Sequence, residues 1–325
     1  MDIHAESRHM TDCKSYREAF LWASSLLRQA GTKQPDFEAE LLLRKMAGFE
    51  RHQLFLNWDE CIPDSVFRKF VQSVQMRMEH QPIQYILQEQ EFFGRKFHVD
   101  QRVLIPRPET ELLVEQALVR LKQVITEISA NKQERVLGDT PVSILDIGTG
   151  SGAIAITIAL ELLSFAKQPI VIDAVDISAD ALDVAVGNYR RLLAAERVAD
   201  EAVANLVMRW NEADVWPEKR DVFAGYDMIL SNPPYIDFQE APAIDREVKE
   251  YEPMQALFAE ENGLAVYRRI ISEVKQYLRP GGWLGLEIGY QQSAAIQNML
   301  SDQAATDIKV YLDIAGHQRT IFARW

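Results

Sequence analysis

The stretch Val142-Ser143-Ile144-Leu145-Asp146-Ile147 runs without a spacer into Gly148-Thr149-Gly150-Ser151-Gly152-Ala153, and an apolar helical segment follows at once, from Ile154 through Phe165. No other feature narrows the possible folds so far. Alternating glycines permit a tight turn that residues with a Cβ resist, and they let a ligand approach the amides at the helix start. Strand, glycine loop and helix in that order predict a nucleotide-bearing ligand at the carboxyl edge of a parallel sheet. The spacing Gly148-x-Gly150-x-x-Ala153 also satisfies the dinucleotide fingerprint, so the loop alone leaves NAD and S-adenosyl-L-methionine both open.

The surrounding pattern supports such a sheet. Strands are predicted at Val142–Ile147, Ile170–Val175, Leu206–Arg209, Tyr226–Leu230 and Trp283–Ile288, with helices between them, the alternation of a parallel sheet covered on both faces. The end differs: Ile308–Ile314 and Thr320–Arg324 flank the turn Ala315-Gly316-His317-Gln318 as an antiparallel hairpin. From about Ser15 to His80 apolar residues recur at helical spacing, with Pro35-Asp36 and Pro63-Asp64-Ser65 as helix starts and Gly48 as a C-cap. Between the two regions, Ile83–Leu87 and Phe92–Val99 are aromatic and β-branched, as in a hairpin. The expected organisation is a helical bundle over 1–81, a hairpin linker over 82–105 and an α/β domain over 106–325. Polar stretches at Ser129–Asp139 and Ala194–Asn205 read as surface insertions.

Composition bounds the function. With 325 residues, 47% of them hydrophobic and 26% charged, the chain has material for two domains of about 100–200 residues each. A formal charge of −13 repels phosphate backbones and no Lys/Arg block offsets it, so direct nucleic-acid binding is not expected. No stretch approaches the ~20 apolar residues of a membrane span, and Met1-Asp2-Ile3-His4-Ala5-Glu6 lacks the features of an export or organellar signal. A soluble, cytoplasmic protein is expected. Cys13 and Cys61 read as reduced thiols, and the six histidines lack ligand spacing, so no metal is expected.

Two carboxylates and a turn add chemistry to the loop. Asp176 ends the second sheet strand, where a carboxylate accepts from the hydroxyls of a ribose. Asp146 stands on the strand before the loop and can pair with a ligand ammonium, which a methionine moiety has and a nicotinamide dinucleotide lacks; this favours S-adenosyl-L-methionine. Beyond the strand ending at Leu230 lies Ser231-Asn232-Pro233-Pro234-Tyr235. Its prolines fix two φ angles and supply no N–H, leaving the Pro233 carbonyl free to face the cleft beside the Asn232 side-chain oxygen. Two such acceptors match the two N–H groups of one planar –NH₂. With both hydrogens held, the otherwise delocalised lone pair turns toward a sulfonium methyl and no catalytic base is obligatory. Tyr235 would lay its ring against the planar group. An amide and an amino group of adenine or guanine fit alike. A catalytically silent cofactor binder and a dehydrogenase are weaker readings, because the Asn232–Tyr235 turn is intact and no hydride-transfer acid/base pair is visible. Arg107, Glu109 and Glu252 either line the cleft or form a salt-bridged scaffold.

Asn232-Pro233-Pro234-Tyr235 together with Asp146–Gly152 resembles the class I S-adenosyl-L-methionine-dependent methyltransferases that act on planar nitrogens. Val103–Glu111, Tyr251-Glu252-Pro253, Leu284–Gly289 and Asp313–Arg319 narrow the resemblance to the HemK/PrmC family, the N5-glutamine methyltransferases of peptide chain release factors. The most specific piece is Ile105-Pro106-Arg107-Pro108-Glu109-Thr110. The resemblance, over most of the chain, implies a Rossmann-like sheet and methylation of the glutamine in the Gly-Gly-Gln loop of class I release factors; the alternative is methylation of adenine or guanine amino groups in RNA or DNA. It implies that Gly148, Thr149, Gly150, Ser151, Gly152 and Asp176 hold the cofactor, that Asn232, Pro233, Pro234 and Tyr235 hold the glutamine, and that Asn232 lies near both. The family also contacts the adenine through the residue after an acid on the third-strand loop; here Asp214 precedes Val215, with Trp216 as the other candidate. The helical domain is implied to grip the partner.

Overall fold

The helices of the N-terminal region begin and end on side chains suited to it. In the computed structural model, which describes residues 14–130, 141–166, 168–196, 203–218 and 225–325, Ser15 caps helix α1 (Tyr16–Gln29) in a reciprocal box with Glu18. Pro35 opens α2 (Pro35–Ala47) and Gly48 closes it at φ 68°. Helices α3 (Arg51–Leu56), α4 (Asp64–Met78) and α5 (Ile83–Leu87) follow. Leu27, Leu42, Leu43, Leu54, Phe70 and Val74 form their common core. Arg77 of α4 is buried and paired with Glu38, and also with Glu247 at 2.7 Å. Glu247 lies on α9 (Arg246–Tyr251), and the chain divides into Met1–Gln88 with Arg246–Tyr251, and Glu89–Asp245 with Glu252–Trp325.

Three expectations need correction here. Ile83–Leu87 is one helical turn, not a strand, because Pro82 sets φ at −52° before it and Gln88 ends it in the left-handed region. The hairpin is shorter, β1 (Gln90–Phe92) and β2 (Arg95–Phe97), and it belongs to the second unit, because Phe92 and Phe97 are buried in that unit's core. Cys61 is disulfide-bonded, contrary to the reading of two reduced thiols, while Cys13 lies outside the described residues. Main-chain pairing at Cys61 aligns two segments that composition could not connect: Ile62 N–H donates to Lys14 O at 2.8 Å and Tyr16 N–H to Glu60 O at 3.1 Å.

The second unit is the expected sheet. Its strands are β3 (Val142–Ile147), β4 (Ile170–Asp176), β5 (Leu206–Glu212), β6 (Tyr226–Ser231), β7 (Leu278–Glu287), β8 (Thr306–Leu312) and β9 (Gln318–Arg324), in the order β5-β4-β3-β6-β7-β9-β8. Only β9 runs antiparallel to its neighbours on both sides. Helices α6 (Pro108–Ala130), α7 (Ala153–Leu163) and α8 (Ala179–Ala195) contribute to one apolar core, and α11 (Ala265–Glu273) and α12 (Ser293–Asp302) to the other; the short α10 (Met254–Leu257) precedes α11 in the chain. Most of the two stretches read as insertions lies outside the described residues. Among the described residues no helix is long and apolar enough to cross a membrane.

The order matters for function, since β4 and β6 flank β3 on opposite sides and the switch in winding direction opens a crevice at their carboxyl ends. Packing around β7 leaves no slack there. A Cβ built on Gly285 would stand 2.5 Å from Phe322 Cε1 and 2.8 Å from Leu230 Cδ2, its two cross-strand neighbours. Gly285→Ala is therefore expected to destabilise the protein by about 1–3 kcal/mol through overpacking, read as a lower midpoint in urea at unchanged slope.

Candidate functional site

Strand register brings the three sequence signals to one level. Ile147 pairs with Val175 on one side and with Ser231 on the other, so the glycine loop, Asp176 and Asn232 leave the sheet side by side. Ser231 Oγ donates to Ile147 O at 2.8 Å, and the amides of Gly148 and Thr149 both donate to Val175 O at 2.9 Å. Gly148 and Gly150 take φ of 71° and 53°, which glycine adopts without strain.

Two carboxylates organise this loop. Asp176 accepts from Gly150 N–H at 2.8 Å through Oδ2 and from Ser178 N–H at 3.0 Å through Oδ1. Burial raises its pKa, against these amide hydrogen bonds. Asp146 is fully buried; its Oδ2 accepts from Thr149 Oγ1 at 2.7 Å and Ala155 N–H at 3.2 Å, but Oδ1 has no hydrogen-bond partner. That burial pushes the Asp146 carboxyl up to about 7. An orphaned buried carboxylate oxygen is costly unless a cation or donor arrives beside it; Asp146 stands directly behind Ile147 and Gly148, which line the neighbouring cavity, but does not line it itself.

Between these elements lies a cavity of about 300 Å³. Of the residues singled out in the sequence, Gly148, Gly150, Asp176, Val215, Asn232, Pro233 and Pro234 line it. Thr149 and Ser151 are buried in the protein, and Gly152 stands at the N-cap of α7; these shape the loop instead of facing the cavity. Trp216 stacks on Tyr277 at 4.1 Å with planes 5° apart, which leaves Val215 as the one that lines the cavity. Val215 has φ of 74°, a conformation costing a β-branched residue on the order of 1–3 kcal/mol. Its neighbours hold it there, through the Trp216 stack, an Asp214–Arg269 ion pair at 2.9 Å and Ala213 N–H donating to Asp176 O at 3.0 Å.

The opposite wall was missed by the sequence reading. Arg102, Val103 and Leu104 line the cavity, as do Gln255, Phe258 and Arg269. Val103 and Leu104 open the family-like segment Val103–Glu111, where no cavity role is assigned to them; Arg102, Gln255 and Phe258 only adjoin or follow such segments, and nothing in the sequence marks Arg269. Within those segments Arg107 pairs with Glu252 at 2.5 Å, and the same carboxylate accepts Ile105 N–H at 3.1 Å, so this pair is scaffold. Glu109 lies instead in a separate groove, with Asp313 and Ile314.

Asn232 is held from behind. Its Nδ2 donates to Thr110 Oγ1 at 3.1 Å, and the Thr110 hydroxyl donates to Glu287 Oε2 at 2.6 Å. Glu287 and Thr110 are both buried. Burial pushes the Glu287 carboxyl up to about 7 against the Thr110 hydrogen bond and the charges of Arg319 and Arg107, while Glu109 adds to the rise. Tyr235 does not line the cavity; burial chiefly, with Glu287 nearby, pushes its phenol up to about 12, and its carbonyl accepts Gln292 Nε2 at 2.9 Å. Among the described residues no cluster of His, Cys, Asp or Glu could hold a metal ion.

The Tyr235 carbonyl also sits against Gly263, where an added Cβ would be 2.0 Å away. Gly263→Ala is expected to push the 235–236 backbone outward. The amides of Ile236 and Ala259, which bond to Leu257 O and Ile236 O, should then exchange hydrogen at least about tenfold faster than in the unaltered protein.

A family model described as the PrmC N-terminal domain matches residues 18–87, and one described as the methyltransferase small domain matches residues 133–249. The chain is 36% identical over 311 residues to the release factor glutamine methyltransferase of Bacillus subtilis, covering 95% of this chain and 98% of that one. It is 35% identical over 311 residues to that of Enterococcus faecalis, covering 95% and 99%. To that of Chlorobaculum tepidum it is 38% identical over 282 residues, covering 86% and 87%.

Proposed function

The chain belongs to the release factor glutamine methyltransferase family, and from that membership we propose that its cavity binds S-adenosyl-L-methionine beside the glutamine of the Gly-Gly-Gln motif of class I peptide chain release factors. It is a methyltransferase acting on a glutamine side-chain nitrogen. The observation that carries the site assignment is the meeting of the glycine loop and Asn232-Pro233-Pro234 around one cavity. The cofactor supplies an electrophilic methyl on a sulfonium. Asp176 takes its ribose, Val215 its adenine, Gly148 and Gly150 pass its chain, and Asp146 stands for its ammonium. The Thr149 and Ser151 side chains and Gly152 support that loop from within.

The amide enters from the side of the turn. Asn232 Oδ1 and the Pro233 carbonyl accept its two hydrogens, Pro234 keeps the turn rigid and Tyr235 lies behind. Holding both hydrogens costs the amide part of its resonance and aims the nitrogen lone pair at the methyl carbon. This nitrogen would take the methyl of a bound cofactor, which departs as the neutral thioether, and one of the two hydrogens held by Asn232 and Pro233 would leave as a proton to solvent. The helical unit grips the release factor, and the reaction belongs to the cytoplasm, where release factors work in translation termination.

Two measurements check this reading. With labelled cofactor, a release factor and nucleic acid together, label is expected in the Gly-Gly-Gln peptide; Asn232→Ala should remove it, while Asp176→Ala should raise the cofactor Kd about tenfold or more and keep much of the turnover at saturation. Label in nucleic acid alone, or undiminished transfer by Asn232→Ala, overturns it. Cofactor affinity should also depend on pH with a definite sign. Asp146 must be ionised to meet an ammonium, and its pKa is raised to about 7, so affinity falls as the pH drops below that value, by about tenfold per unit. Asp146→Asn should bind weakly and lose this dependence in calorimetric titration.

A further inference from the structure

We propose that Glu287, acting through Thr110, fixes which end of the Asn232 amide faces the cleft, so that the site presents acceptors alone and takes an amide in preference to a carboxylate. The proposal deepens the reading that Asn232 holds the substrate amide and rests on it. Both are positioning residues, since neither lines the cavity.

When Glu287 is ionised its carboxylate only accepts, so above the raised pKa of about 7 the Thr110 hydroxyl at the end of this chain has to donate its one proton to Glu287, across 2.6 Å. Thr110 Oγ1 is then left with lone pairs alone toward Asn232, and the Asn232 atom 3.1 Å away has to be the donating nitrogen. The oxygen of the same amide faces the other way, and it takes no hydrogen bond from any described residue, although Asn232 lines the cavity. Three separate elements supply the chain: the first turn of α6, the end of β7 and the turn after β6. Burial of Thr110 and Glu287 excludes water that would offer either of them another partner.

A reversed chain has a different consequence. Were Thr110 to donate to Asn232, the Asn232 nitrogen would face the cleft and offer hydrogen to the substrate. That arrangement suits a glutamate carboxylate and leaves the glutamine –NH₂ one acceptor short. Because Asn232 Oδ1 and the Pro233 carbonyl are both acceptors, a carboxylate meets only lone pairs, which costs it a desolvated, unpaired charge. The same acceptors are what turn the amide nitrogen toward the methyl, so orientation and selectivity share one origin.

The test uses the full-length enzyme at pH 8, above the raised Glu287 pKa of about 7, with a release factor and with its Gly-Gly-Glu variant. Unaltered enzyme should bind the glutamine form more tightly, by about tenfold or more. Thr110→Val, which keeps the shape and removes the relay, should lower kcat about tenfold and bring the two affinities together, while the cofactor Kd and the melting temperature change little. Thr110→Ser restores the hydroxyl and should restore both properties. Glu287→Gln, whose amide can donate to Thr110 and reverse the chain, should show the same loss of discrimination. If Thr110→Val matches Thr110→Ser, or if its loss is accompanied by lost cofactor affinity, the proposal is overturned. If Glu287→Gln keeps full discrimination, the part assigned to Glu287 falls. If the unaltered enzyme transfers no methyl to the release factor, the functional reading itself fails and takes the proposal with it.

Discussion

Everything at this site depends on the register between β3 and its two neighbours. Ile147 is paired with Val175 and Ser231 at once, and the Ser231 hydroxyl ties the two strand ends together. A shift of one residue in either pairing would reverse the facing of every side chain on that strand and move Asp176 or Asn232 about 3.3 Å along the sheet. The fully buried strand β3, with no polar face to prefer water, is kept in place by the apolar layers on both sides. Chemistry at the carboxyl edge is thus positioned by packing far from the cavity.

Three buried carboxylates show how differently burial is used. Glu252 is saturated by Arg107 and the Ile105 amide and behaves as structure. Glu287 passes its demand for a proton outward through Thr110 to the side chain that faces the cavity. Asp146 keeps one oxygen unpartnered, a state costing about 1–3 kcal/mol. Completeness of hydrogen bonding, more than charge or depth, separates the scaffold carboxylate Glu252 from Asp146.

Much of this was legible in the chain. Buried strands with four or five apolar residues each and glycine spacing located β3, β4, β6 and the glycine loop, because burial on both faces writes a mostly apolar run. Where a segment's partner is distant in sequence, the reading failed. Ile83–Leu87 has the composition of a strand and folds as a helical turn between Pro82 and Gln88. The start of β7 at Leu278 was missed because Pro280, Gly281 and Gly282 look like a turn, yet Leu278 pairs with Tyr226. Val215 and Trp216 are adjacent and both apolar; only the stack on Tyr277, sixty residues on, separates them. Likewise Thr110 and Glu287 lie in recognisable segments, but nothing in either announces that they meet.

The helical unit also has a boundary that a linear map of domains does not show. Its last helix, Arg246–Tyr251, is lent from within the sequence of the sheet unit and brings Glu247 to Arg77. A protein ending at Gln88 would hold the bundle's apolar core and still leave a buried guanidinium short of one carboxylate. Modularity here is spatial and not sequential: a single cut after Gln88 leaves part of the helical unit, with Glu247, on the other side.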